Sequence, residues 1–220
     1  MVRDRASSKC RRMQIYFFNY FSQHERTKVT ADARHKKNVP LWREFFSNPG
    51  VIAALHIINA VAERLDTNFV KLHREVKAHV LKNLNGRYLS HNPSAWPGLA
   101  LHWNQLPTGF HWDDRSLFSG WDVVNPWGPF DDCILVFPDL HIYLRVRQGD
   151  IVFLHGAALR HGAIAWTGRG RMVMVPFVDR RLFSDSNVRK PQTFHRVHNN
   201  QYKHFCGLFP AKPLADFLSE

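Results

Sequence analysis

The stretch FHWDDRS, residues 110 to 116, sets His111 and Asp113 two positions apart. An imidazole nitrogen and a carboxylate oxygen are donors that one divalent transition metal accepts together, provided both reach the same point in space. Residues two apart on a strand share a face, so a strand here would aim both side chains into one pocket and turn Trp112 the other way. Alone the pair says little. With 14 histidines and 13 aspartates in 220 residues, roughly 0.8 His-x-Asp pairs arise by chance, and a short motif needs context.

The context lies downstream, in GDIVFLHGAALRHGAIAWTGRGRMVMVPFV (149 to 178), which offers His155, His161 and, ten residues after His161, Arg171. A hairpin through WTGRG would return the chain beside the His161 strand and leave Arg171 roughly 10 Å from it. Two imidazoles and one carboxylate on one face of Fe(II) leave three positions open. Two of these can chelate the keto-carboxylate end of 2-oxoglutarate, and the third can take O2. A buried Arg at that distance suits the far carboxylate, which it grips through two parallel hydrogen bonds. Either histidine can complete the set. The spacing to Arg171 favours His161 and leaves His155 to orient a neighbour or satisfy the backbone.

Other chemistry-bearing residues have plainer readings. His73 and Glu75 form an H-x-E pair, but on a helix residues two apart point in different directions and cannot share a metal. Asp114 reads as an exposed charge, and Asp131 with Asp132 as a turn before a strand. Trp103, Trp112, Trp121, Trp127 and Trp166 could line a groove and stack a base, or serve as core. His195 and His198 sit in a basic tail. Cys10, Cys133 and Cys206 show no C-x-x-C spacing, which points away from a disulfide framework or zinc knuckle and toward a reducing, intracellular compartment.

The elements that must position these residues are legible from pattern. SNPG at 47 to 50 reads as a helix start, with Ser47 or Asn48 as cap and Pro49 in the first turn, leading into a buried helix that ends at Leu65. A second helix follows DTN, with Phe69, Leu72, Val76, Val80 and Leu84 on one face and Asn85-Gly86 as the stop. From Leu99 onward short apolar runs alternate with Pro, Gly, Asp and Asn. Strands are expected at 99–105, 109–113, 120–124, 133–137, 141–146, 151–155, 161–166 and 171–178. Two helices followed by eight short strands predict a mainly β fold with α: a double-stranded β-helix, or jelly roll, with helices packed on one outer face.

Size and charge bound the rest. A chain of 220 residues, 45% apolar, with 17 Phe and 7 Trp, closes a single core. Its most apolar run, 51 to 62, is too short to cross a bilayer and contains His56 and Asn59, so no membrane association is expected. The net charge of +12 resides at the ends: +7 over residues 1–40, +1 over 41–179 and +4 over 180–220. This predicts a basic N-terminal arm (1–40), a helical support plus jelly-roll domain (41–179) and a basic C-terminal extension (180–220). Residues 26 to 40 are polar enough to read as a loop or mobile link. Basic ends suit a polyanion such as nucleic acid, bound in a salt-sensitive way, or simply keep the protein soluble.

Taken together, HWD, FPDL before a strand, QGDIVFLHG, LRHG and Arg171 make residues 99 to 178 resemble the Fe(II)/2-oxoglutarate-dependent oxygenases. The chain looks most like their TET/JBP-like branch, with its many fungal members. The resemblance implies His111, Asp113 and His161 as iron ligands and Arg171 as the cosubstrate anchor. It also implies a dioxygenase that couples C–H oxidation to decarboxylation of 2-oxoglutarate, with methylated pyrimidines of nucleic acid as a substrate class. An intracellular, including nuclear, location would follow. Many relatives carry Ser or Thr two residues after the Arg, where Val173 stands here; Tyr143 is an alternative hydroxyl. The retained Asp113 argues against a halogenase. A protein or small-molecule hydroxylase, a cupin-type metalloenzyme without cosubstrate and a non-catalytic jelly-roll module that binds nucleic acid are the alternatives.

Overall fold

The structure, a computed structural model, describes residues 14–18, 20–23, 26–83, 91–104 and 109–189, with side chains from Val29 onward. Four helices precede the main run of strands: α1 (Ala31–Arg34), α2 (Val39–Ser47), α3 (Pro49–Leu65) and α4 (Thr67–Asn83). Asn48 is the cap of α3; its Oδ1 accepts from the amides of Gly50 (2.9 Å) and Val51 (3.3 Å), which satisfies donors that the helix leaves without intrahelical partners. The expectation of a buried helix is corrected to a buried face. Ala54, Leu55, Ile58 and Ala62 are enclosed, whereas Ile57, Val61 and Leu65 stand exposed. On α4, Phe69, Val76 and Val80 are buried and Leu72 is half-buried, while Leu84 and the Asn85-Gly86 stop lie outside the described residues.

The strands are β1 (Gln14–Phe18), β2 (Tyr20–Gln23), β3 (Arg26–Val29), β4 (Gly98–Trp103), β5 (Asp122–Trp127), β6 (Phe130–Phe137), β7 (Ile142–Val146), β8 (Val152–Leu154), β9 (Gly162–Gly168) and β10 (Met172–Phe177), followed by α5 (Arg181–Asp185). They form a five-stranded sheet in the order β1-β4-β10-β5-β8, a three-stranded sheet β7-β6-β9 and the pair β2-β3. This is the double-stranded β-helix with helices on one outer face; helix and strand are of similar extent among the described residues, because four helices precede its main run of strands.

Period-two alternation sorts the five-stranded sheet into two faces. Leu99 and Leu101 of β4, Val123 of β5 and Met174 of β10 pack into one apolar cluster with Trp42, Phe46, Leu55, Ile58, Phe69 and Phe183 from the helices. Their neighbours Ala100, His102, Val124, Val173 and Val175 face the opposite way and line a cavity. The register keeps the rows aligned, with Val173 beside His102 and Met174 beside Leu101. A second cluster, including Cys133, Leu135, Phe137 and Leu154, fills the space between the two sheets. Asparagine at 104 adopts φ +50, in the left-handed region it tolerates better than most residues. There its Oδ1 accepts from Arg171 N at 2.9 Å, and its own amide donates to Arg171 O at 2.7 Å.

Four expectations change. The hairpin through WTGRG does not form, because β9 pairs with β6 and β10 with β4 and β5. The chain switches sheets at Gly168 (φ +106), a conformation glycine adopts without penalty. The strand at 109–113 shrinks to one bridge, His111 to His161, because the turn closed by Ser116 N to Asp113 O at 2.8 Å pulls the chain away. The span read as a loop at 26–40 holds β3, α1 and the start of α2; strand pairing and the burial of Ala33 outweigh its polar composition. Order reaches back past Leu41, since β1 pairs with β4 from Gln14–Trp103 to Phe18–Leu99. It also runs forward into α5, whose Leu182 and Phe183 are fully buried. Among the described residues, no single helix is long and apolar enough to cross a membrane.

Candidate metal centre

The cavity, of about 620 Å³, opens between the two sheets. At its mouth the backbone bridge between His111 and His161 (N–H to O=C at 3.0 and 2.9 Å) brings together two residues fifty positions apart. Asp113 is held one step away by its own amide, which donates to Gly156 O at 2.9 Å. The result is a cluster of three donor atoms, all within 4.8 Å of one another. Asp113 Oδ1 lies 3.7 Å from His111 Nε2, and Oδ2 lies 3.5 Å from His161 Nε2. Spacings of this size suit donors that share one ion, whose bonds to nitrogen and oxygen run to about 2.0–2.2 Å.

Each imidazole is oriented by its far nitrogen. His161 Nδ1 lies 2.8 Å from Leu159 O, and His111 Nδ1 lies 3.1 Å from Gly109 O. A carbonyl only accepts, so in both neutral rings the proton sits on Nδ1 and the Nε2 lone pair faces the cluster. Burial holds the His161 pKa below the ordinary histidine value, against the pull of Asp113. That keeps the ring in the neutral form a metal requires.

Arg171 lines the same cavity and is 93% buried on its residue surface, from 7% exposure. Its guanidinium carbon lies 5.9 Å from the Phe130 ring centroid, and its Nε has no hydrogen-bond partner. Among the described residues no carboxylate forms a salt bridge with it. A buried cation without a carboxylate partner is costly; its guanidinium meets the Cys133 thiol, and an anion entering the cavity would pair with it. The donor set therefore fits a divalent metal, and Arg171 fits a carboxylate bound beside it.

The remaining candidates separate cleanly. His155 stands outside the cluster: its Nδ1 lies 2.9 Å from Gly120 O, and its ring stacks on Trp121 at 3.9 Å. Asp114 is exposed, as expected. Asp132 sits at φ +52 beside a strand irregularity, a structural position. Tyr143 is not among the cavity-lining residues, and Val173 is. Trp112, expected to face away from the ligands, instead lines the cavity mouth and is 47% exposed. Among the other tryptophans, Trp103 is half exposed, and Trp121 and Trp127 pack against the core. His195, His198, Cys10 and Cys206 lie outside the described residues.

Sequence reasoning missed Asp122, which is buried beside Asp113 on the cavity wall. Burial, reinforced by the charge of Asp113, pushes its pKa well above the usual carboxylate range. The signal was present, since an aspartate opens a largely apolar strand on the same face as Val124. Gly156 belongs here too. A Cβ there would come within 2.5 Å of Asp113 Oδ2 and would also strike Asp122.

No family model matches this chain, and no curated protein matches it by sequence. Among solved structures it is similar to NgTET1 in complex with 5mC DNA, with a TM-score of 0.58 and 17% identity over 86% of this chain and 68% of that one. It also matches a cupin 2 conserved barrel domain protein from Salinispora arenicola CNS-205, with a TM-score of 0.28 and 15% identity over 41% of this chain and 71% of that one. The second likeness is too distant to bear on the fold. The first shows a fold of the kind found in a TET dioxygenase.

Proposed function

We propose that the chain is an Fe(II)/2-oxoglutarate-dependent dioxygenase that oxidises a C–H bond, with methylated pyrimidines of nucleic acid as its substrate class. One observation carries the reading: three metal-type donors and a buried arginine without a carboxylate open into one cavity. With iron, 2-oxoglutarate and O2 bound, such a centre supplies oxidative decarboxylation to succinate and CO2 coupled to hydroxylation of the substrate.

The protein's own residues have distinct tasks. His111 and His161 present Nε2, each held by a backbone carbonyl at Nδ1, and Asp113 adds the one negative charge of the ligand set. Arg171 binds the far carboxylate of the cosubstrate through its unused donors. Val173, in place of a hydroxyl-bearing residue, makes Arg171 the main polar contact at that end. The apolar walls, from Val124, Leu135, Leu154 and Val175, limit water near the reacting carbon.

Nucleic acid is favoured over a protein substrate for two reasons. The structurally similar NgTET1 is bound to 5mC DNA, and the sequence concentrates its positive charge at its ends. A target base would be rotated out of the stack to reach the cavity. An intracellular location, where nucleic acid is met, is part of this reading.

The test is succinate formation from 2-oxoglutarate by iron-loaded full-length protein. We expect stoichiometric iron and succinate from the wild type, and neither from the His111→Ala, Asp113→Ala double variant. Arg171→Ala should retain iron and need roughly 10- to 100-fold more 2-oxoglutarate, the scale of a lost hydrogen bond to a charged group. Wild type without succinate, together with iron binding that survives the double substitution, overturns the reading.

A further inference from the structure

We propose that Trp112 and Arg160 form a stacking platform at the cavity mouth that takes a nucleobase of the substrate beside the metal centre. The inference rests on the oxygenase reading and deepens it by naming the residues that choose a planar ring. The antiparallel bridge that aligns His111 with His161 puts the next positions, Trp112 and Arg160, opposite each other. The Arg160 guanidinium carbon lies 5.6 Å from the centroid of the Trp112 ring. The bridge that assembles the ligands therefore also assembles the pair next to them.

The pair is held firmly from below and is open above. The amides flanking Trp112 are both fixed, His111 N on His161 O and Asp113 N on Gly156 O. Arg160 is fixed in turn by Asp139, which it meets at 2.9 Å in the turn after β6, and its Nε is buried without a hydrogen-bond partner. Despite this anchoring, Trp112 is 47% exposed and lines the cavity together with both histidines. An indole pinned at its backbone loses little freedom when another ring lies on it. Indole rings and guanidinium planes are the surfaces on which unstacked bases lie.

The test compares two fluorescein-labelled probes of equal length, a single-stranded oligothymidylate and an abasic deoxyribose-phosphate oligomer, by anisotropy on the full iron-loaded chain. Both probes carry the same phosphates, so contacts to the backbone cancel in the ratio of their affinities. Wild type should prefer the base-bearing probe at least about fivefold, the low end of base stacking on an aromatic side chain. Trp112→Ala should bring the ratio to about one, and Trp112→Phe should keep most of it. A wild type with no preference, or Trp112→Ala with the full preference, overturns the platform. Iron content and succinate formation, measured on the same preparations, fail separately if the oxygenase reading is at fault.

Discussion

Two buried histidines on opposite faces of the five-stranded sheet show what makes a ligand. His73, on α4, is fully enclosed by Phe69 (ring centroids 3.8 Å apart), Phe183 (5.6 Å) and the edge of Trp96 (5.8 Å), and neither ring nitrogen has a partner. His161, across the sheet, is nearly as buried but has a carbonyl behind Nδ1 and a carboxylate in front of Nε2. Burial lowers the pKa of both. Only His161 has its lone pair aimed, and the aiming comes from the Leu159 carbonyl behind Nδ1, not from burial.

The sharpest way to break this comparison is to exchange the histidines that could serve the cluster. His161→Ala should abolish iron retention and succinate formation, because removing a ligand exceeds the roughly 10- to 100-fold cost of losing a ligand's outer partner. His155→Ala should retain iron, since its ring is engaged with Gly120 and Trp121. Metal analysis of the two purified variants decides. Iron lost from the second and kept by the first would make His155 the third ligand.

The sequence exposed most of this arrangement wherever a local period or spacing carried it. The α3 start at Asn48-Pro49, the heptad-like row Phe69 to Val80 and the alternation of Leu99, Leu101 against Ala100, His102 are single-element patterns. What depended on which sheet a strand joined was not legible. The turn at Gly168 reads equally as a hairpin or as a crossing between sheets. Arg171 reaches the cavity by the second route, which places it by facing sheets and not by neighbouring strands. The same limit hid Trp112, since strict alternation fails where a strand is only one bridge long. Asp122 was overlooked for a different reason: a carboxylate among apolar residues reads as the solvent side of a strand until the opposite sheet covers it.

The next effect tests the other half of the comparison. The enclosed His73 has its pKa pushed down to about 3 from an ordinary 6.5 by burial. Between these values the unfolded chain binds a proton that the folded ring refuses, so stability is complete above pH 6.5 and is lost as the pH falls toward 3. At about 1.4 kcal/mol per pH unit, this group alone removes about 4–5 kcal/mol over that window. His73→Phe fills the same apolar site, leaves no unpartnered nitrogen and cannot titrate. Urea unfolding at pH 7 and pH 4.5 should show a smaller acid loss in the variant than in wild type, with iron binding intact. Equal slopes would mean that His73 finds a proton acceptor and is less inert than its packing indicates.

The smallest effect concerns why the cluster is compact at all. Gly156 accepts the Asp113 amide through its carbonyl, and it leaves open the space into which the carboxylates of Asp113 and Asp122 both turn. Its backbone needs no left-handed conformation, so the reason for glycine here is close approach alone. Gly156→Ala forces at least one carboxylate to move, at a cost of about 1–3 kcal/mol for an overpacked interior. Gly109, near the other ligand, has nothing within 4 Å of a Cβ, and Gly109→Ala should stay within about 0.5 kcal/mol of wild type. Thermal unfolding with and without added Fe(II) separates two causes. If Gly156→Ala narrows the stabilisation that iron confers, the methyl displaces Asp113. If stability falls while the increment from iron is unchanged, Asp122 yields instead and the ligand set is held more firmly than its surroundings.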